Sequence, residues 1–142
     1  MSRRIVKWVH DLCNSSAPAP VLSRSIRARR GAAGEAFAAR YLEARAHRII
    51  ERNFRCRGGE IDLIADDGDS IIFVEVRVRG SEKFGGARAS IDYRKRQRII
   101  HAARYYLAGK HTRPCRFDVV VMAGANGKDI EWIRNAFDDD GA

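Results

Sequence analysis

Residues 59–79, GEIDLIADDGDSIIFVEVRVR, decide the fold. Glu60 to Asp66 is rich in Ile and Leu, and Ser70 to Val78 in Ile, Val and Phe. Asp67-Gly68 lies between them, a dipeptide that strongly marks a two-residue type I′ turn between alternating apolar runs. The stretch therefore predicts a β-hairpin. With Asp67 and Gly68 as the loop, Asp66 pairs with Asp69, Ile64 with Ile71, Asp62 with Phe73 and Glu60 with Glu75. Side chains alternate faces along a strand, so Asp62, Ile64, Ile71, Phe73, Glu75 and Arg77 share a face. Asp62 and Glu75 become diagonal neighbours, about 7–8 Å apart between Cα atoms. A three-residue loop would instead put Glu75 on the other face.

Two carboxylates on an apolar face need a partner, because buried charge is costly unless paired or bound to metal. At that separation they can converge on one hard cation, and Mg²⁺ commonly takes one or two carboxylates together with water and phosphate oxygens. The alternative is a wet face on which the acids pair with Arg77 or Arg79. Spacing alone leaves both readings open.

The flanking segments supply the other elements. Ala32 to Ala46 predicts a helix rich in Ala, Glu, Leu and Arg, with Phe37, Tyr41 and Ala44 in one stripe and Ala38 and Leu42 beside it. Glu35 falls in its first turn, where an acid suits the positive end of the helix dipole. Arg48 to Cys56 predicts a first strand, and Gly58-Gly59 turns it into the hairpin. Gly80 to Ala89 reads as a Gly-containing loop, either a plain connection or a segment lying along a nucleic-acid backbone. Ser90 is the expected N-cap of a second helix running to Leu107. Ile91, Ile99, Ala103, Tyr106 and Leu107 form its buried stripe. Lys95 interrupts that stripe, and taken by itself it reaches out to solvent. Arg116 to Met122 predicts a fourth strand, with Asp118 either a structural partner for a basic residue, the preferred reading, or a peripheral site residue. Ile130 to Ile133 predicts an edge strand, Phe137 closes the core, and Asp138 to Asp140 forms a disordered acidic tail.

Charge is unevenly placed. The net charge is +9, and residues 1–59 hold 13 Lys and Arg against four Asp and Glu. Residues 91–116 add eight basic residues against one acid. This excess suits a polyanion, nucleic acid foremost, or a solvated surface. Tyr93, Tyr105 and Tyr106 offer rings for base stacking, although Tyr106 fits the core better. Residues 1–30 read as a basic N-terminal extension joined through a Ser-Ala-Pro linker. The domain itself occupies residues 31–137 and the tail residues 138–142. Three scattered cysteines exclude a disulfide framework or zinc site and fit a reducing cytoplasm. No apolar run reaches membrane-spanning length.

Several motifs together resemble the YraN family, also called UPF0102. They are Gly-Glu-Ile-Asp-Leu-Ile at 59–64, Phe-Val-Glu-Val-Arg-Val-Arg at 73–79 and Arg-Phe-Asp-Val-Val at 116–120. Gly34-Glu35, Asn53-Phe54-Arg55, Phe84-Gly85 and Ile91-Asp92 with Lys95 complete them. The resemblance covers residues 31–123. It implies a PD-(D/E)XK, restriction-endonuclease-like α/β fold in α-β-β-β-α-β order, a mixed four- to five-stranded sheet flanked by helices. It also implies kinship with Holliday-junction resolvases. The implied activity is Mg²⁺- or Mn²⁺-dependent hydrolysis of DNA, more than RNA, with branched DNA among the substrates. The implied metal ligands are Asp62, Glu75 and the Val76 carbonyl, with Glu35 supporting them from the first helix. Arg77 and Lys95 would stabilise the phosphate or orient water, and Arg55, Arg79, Arg94, Gln97 and Arg98 would hold the nucleic-acid backbone. Such resolvases act as dimers, which implies a homodimer, although the sequence presents no self-complementary surface. Arg77 departs from the family pattern, which has lysine there, and arginine cannot act as a base. A non-catalytic nucleic-acid-binding module on the same fold is therefore the rival reading.

Overall fold

A computed structural model describes residues 25–79, 91–110, 113–123 and 128–139, with the backbone path alone at 25–30 and 128. The expected basic arm before Ser25, the Gly80–Ala89 loop, the Ser90 cap and the turn at 124–127 lie outside the described residues. The elements run α1 (Ser25–Glu43), β1 (Arg48–Cys56), β2 (Gly59–Asp66), β3 (Ile71–Arg79), α2 (Tyr93–Leu107), β4 (Cys115–Ala123) and β5 (Lys128–Phe137). This is the α-β-β-β-α-β order with an added edge strand. The five strands form one mixed sheet in sequential order. β1, β2 and β3 are antiparallel neighbours, β3 and β4 are parallel through the α2 crossover, and β5 returns antiparallel.

Each helix covers one apolar cluster. Ala38, Ala39 and Leu42 of α1 pack with Leu63, Ala65, Ile72, Val74, Val120 and Met122. Ile99, Ile100, Ala102, Ala103 and Tyr106 of α2 pack with Ile64, Ile71, Phe73, Phe117, Val119 and Val121. Alternation on β3 explains the division, because Ile72 and Val74 serve one cluster while Ile71 and Phe73 serve the other. Phe117 stacks between Phe73, at 5.5 Å between centroids, and Phe137, at 4.9 Å. Phe137 thus closes the core as expected. Asp118 is 1% exposed and structural. It accepts hydrogen bonds from Arg116 Nε, Trp132 Nε1 and the Asn135 N–H.

Four expectations need correction. The hairpin loop is not Asp67-Gly68 alone, because Asp66 pairs with Ile71, Ala65 with Ile72, Ile64 with Phe73 and Leu63 with Val74. The loop is therefore Asp67 to Ser70. Acidic side chains cause this: Asp66 Oδ1 accepts the Gly68 N–H at 2.8 Å, and Asp67 Oδ1 accepts those of Asp69 and Ser70 at 2.9 and 2.7 Å. Such local bonds compete with the ladder and hold the chain in a wider turn. α1 begins at Ser25 rather than Ala32, so Glu35 lies mid-helix and the dipole argument for it falls. The cap of α2 is Asp92, whose Oδ1 accepts the Lys95 N–H at 2.8 Å. Finally, Asp139 is not loose, since Arg104 grips it with two hydrogen bonds of 2.6 and 2.9 Å.

Candidate active site

The wider loop moves the register by two residues, so parity survives and the carboxylates draw closer. The paired residues end at Leu63–Val74, one step short of Asp62 and Glu75. Here the β2–β3 ladder gives way. Asp62 Oδ2 accepts the Val76 N–H at 2.8 Å, so a side chain receives a β3 amide. The Glu75 side chain is 6% exposed, and its Oε1 lies 3.5 Å from Lys95 Nζ and 3.8 Å from Arg77 Nε. Its Oε2 is buried with no hydrogen-bond partner.

The electrostatics follow from this crowding. Burial, then the nearby Asp62 charge, push the Glu75 carboxyl up to about 8. Burial also raises Asp62, although the Val76 amide and Glu75 oppose it. Two carboxyls this close and largely removed from water cannot both ionise cheaply, so the pair holds a proton more readily than either acid would alone. Burial lowers Lys95, but Glu75, Glu60 and Asp62 outweigh it and hold the ammonium above its ordinary value. Lys95 is therefore a fixed cation and not a base.

Both helices add to this centre. Glu35, from α1, is raised by burial and by Asp62, and Asn53 and Arg55 of β1 act against that rise. Asn53 has φ 51°, a left-handed backbone that Asn tolerates better than most residues. From α2, Lys95 Nζ donates to Glu60 Oε1 at 3.0 Å. Two glycines set the approach of the helices. A Cβ on Gly34 would collide with Val78 Cγ2, which sits on β3 beyond Arg77. A Cβ on Gly59 would collide with the Arg98 carbonyl and come within 2.9 Å of Ala102 Cβ. Gly34 thus brings α1, with Glu35, against β3. Gly59 brings α2, with Lys95, against β2.

The model of the uncharacterised protein family UPF0102 matches residues 34–122, which include every residue of this cluster. The chain belongs to the UPF0102 family. It is 50% identical over 111 residues to a UPF0102 protein of Nitrosomonas europaea, an alignment covering 78% of this chain and 94% of that protein. It is 53% identical over 106 residues to one of Nitrosospira multiformis, covering 71% and 89%. A Dechloromonas aromatica UPF0102 protein is 53% identical over 111 residues, covering 78% and 90%.

In this UPF0102 chain, Asp62, Glu75, Arg77 and Lys95 come together from β2, β3 and α2, and Glu35 of α1 lies near enough to feel the Asp62 charge. Arg55 and Arg98 lie close enough to lower the Glu60 carboxyl together with Lys95, against the effect of burial. Arg94 is exposed on α2, Gln97 is half-buried on it, and Arg79 ends β3. Sequence reasoning missed Glu60 and Asn53 as members. Glu60 was findable, since it precedes Asp62 by two residues and shares its parity. Asn53 gave no such signal, because its position depends on a backbone kink.

The donor set suits a hard divalent cation. Glu75 Oε2 is buried without a protein donor, and the carboxyl is crowded by that of Asp62, an arrangement a cation would relieve. Among the described residues, no three His, Cys, Asp or Glu side chains converge as a metal-ligating group. The protein would thus supply two carboxylates and a backbone carbonyl, leaving other positions to water and phosphate, as Mg²⁺ prefers.

Proposed function

We propose that this protein is a divalent-cation-dependent nuclease of the PD-(D/E)XK type acting on DNA. The observation that carries the reading is half-buried Asp62 beside buried Glu75, with Lys95 Nζ and Arg77 Nε 3.5 and 3.8 Å from the Glu75 carboxyl. Asp62, Glu75 and the Val76 carbonyl would hold Mg²⁺ or Mn²⁺, which would lower the pKa of bound water and neutralise the scissile phosphate. Lys95 and Arg77 are permanent cations here, so they place and stabilise the phosphate rather than accept a proton. Glu35, whose carboxyl is raised by burial and by Asp62, would receive a proton from water. Arg55, Arg79, Arg94, Gln97 and Arg98 would grip the flanking backbone.

The choice of DNA, and of branched DNA in particular, rests on the resemblance to junction resolvases, as does a homodimeric state, whereas a cytoplasmic location rests on the scattered cysteines. No helix among the described residues is long and apolar enough to cross a membrane. The test is cleavage of a four-way junction and its linear arms in Mg²⁺ or Mn²⁺. The wild type should cut, and Asp62→Ala should lose the activity while keeping its circular dichroism spectrum. Equal cutting by Asp62→Ala would refute the assignment.

A second reading is a non-catalytic nucleic-acid-binding module, favoured by Arg77 standing where the family has lysine. It predicts DNA binding without cleavage in any divalent cation.

A further inference from the structure

We propose that Lys95 is a built-in stand-in for the divalent cation, and that Glu60 is the positioning residue onto which its ammonium retires when the cation arrives. The inference rests on the reading of Asp62 and Glu75 as cation ligands and concerns how that site is held without one. Lys95 Nζ lies 3.0 Å from Glu60 Oε1 and 3.5 Å from Glu75 Oε1, so one ammonium spans both acids. Arg77 is farther from Glu75, at 3.8 Å. The two acids differ in what they tolerate. The Glu60 side chain is 35% exposed and keeps contact with water, whereas that of Glu75 is 6% exposed and suffers if left charged and alone.

The surroundings let the ammonium shift without moving the fold. The Lys95 backbone is pinned by the Asp92 cap, and Ile91 and Ile99 are buried on either side. Glu60 follows Gly59, which is pressed against the Arg98 carbonyl. Only the four-carbon stem of Lys95 need swing. A cation that claimed Glu75 would repel the ammonium, and Glu60 is already bonded to it at 3.0 Å. The same ammonium then remains at the site, available to a phosphate. Free divalent cation therefore competes with an internal charge and binds more weakly than the two carboxylates alone would allow.

Mn²⁺ titrated by calorimetry, at one pH and ionic strength, tests this in wild type, Lys95→Met, Glu60→Gln, the double variant of these two, and Asp62→Ala. Lys95→Met should bind Mn²⁺ roughly tenfold more tightly than wild type, the scale of one unit charge removed at about 4 Å from a partly solvated site. Glu60→Gln should bind several-fold more weakly, because the ammonium then rests on Glu75 alone. In the Lys95→Met background, Glu60→Gln should change nothing, since Glu60 acts through Lys95. Lys95→Gln, which also removes the charge, should repeat the tightening if Lys95→Met folds poorly. Unchanged or weaker binding in both Lys95 variants would overturn the proposal, as would an equal Glu60→Gln effect in both backgrounds. Asp62→Ala separates the two levels of the argument. If it binds like wild type, the cation-site reading itself fails. If it loses binding while the Lys95 variants do not tighten, the site stands and the stand-in does not.

Discussion

Glu75 shows how a single side chain couples stability to function. Its carboxyl titrates near 4.5 in the unfolded chain and is pushed up to about 8 in the fold, by burial and then by Asp62. Between those values the native state binds more protons than the unfolded state, so stability falls as pH rises from about 4.5 to about 8. Each pH unit costs up to about 1.4 kcal/mol in that interval. Urea unfolding of the cation-free protein across this range should show the decline, and Glu75→Gln should flatten it. A cation that replaces the proton reverses the sign, so Mn²⁺ affinity should rise with pH up to about 8. Arg77 sits 3.8 Å from the same carboxylate. Arg77→Lys should raise cleavage of a junction substrate if the chain is a weakened nuclease, and leave DNA binding without cleavage if it is a binding module. At this scale the sequence was legible where parity decided membership, as for Asp62, Glu75 and Arg77. The role of Lys95 was a choice between exit to solvent, which a lysine on an apolar stripe favours, and inward pairing, which only the family resemblance suggested. Its contact with both Glu60 and Glu75 resolves that choice.

Among the elements, the two helices reach the site only because glycines let them. Val78 is β-branched and stiff at χ1, so it cannot swing clear of a side chain at position 34. Gly34→Val should cost about 1–3 kcal/mol, the usual penalty of overpacking, and should weaken Mn²⁺ binding by lifting Glu35 away. The obstruction at Gly59 is backbone, the Arg98 carbonyl. Gly59→Ala should therefore lower the denaturation midpoint by at least as much, without changing the slope. An unchanged midpoint in either variant would show that the close approach is dispensable. The hairpin itself was legible from alternation and the Asp-Gly signal, but its loop length was not. Asp66 and Asp67 offered side-chain acceptors to the loop amides, and Arg113 bonds the Asp66 carboxylate from outside the hairpin at 2.8 and 3.0 Å. A contact 47 residues away in the chain leaves no local trace. The Asp92 cap was missed for a simpler reason, since Ser90 and Asp92 are equally suitable and only the geometry chooses.

For the whole molecule, a sheet with one helix on each face leaves the carboxylates where β2 and β3 part, open to groups from both helices. The order of elements and the apolar faces were readable because each strand alternates and each helix carries one stripe. The convergence of Glu35 and Lys95 was not readable from periodicity, because it depends on how closely the helices approach. Basic charge surrounds this centre, within a chain of net charge +9. If Arg55, Arg77, Arg94, Lys95 and Arg98 each neutralise a phosphate, the slope of log affinity against log salt should be about −4 to −5. DNA affinity should then fall by roughly 10²–10³-fold between 50 and 200 mM salt. Salt-insensitive binding would count against both nucleic-acid readings. The central claim is that Asp62 and Glu75 make a cation site, and it needs no substrate for its test. Calorimetric titration of Mn²⁺ should give one saturable site with proton release in the wild type and none in Asp62→Ala/Glu75→Ala. Equal binding by the two proteins, or none by either, would contradict it.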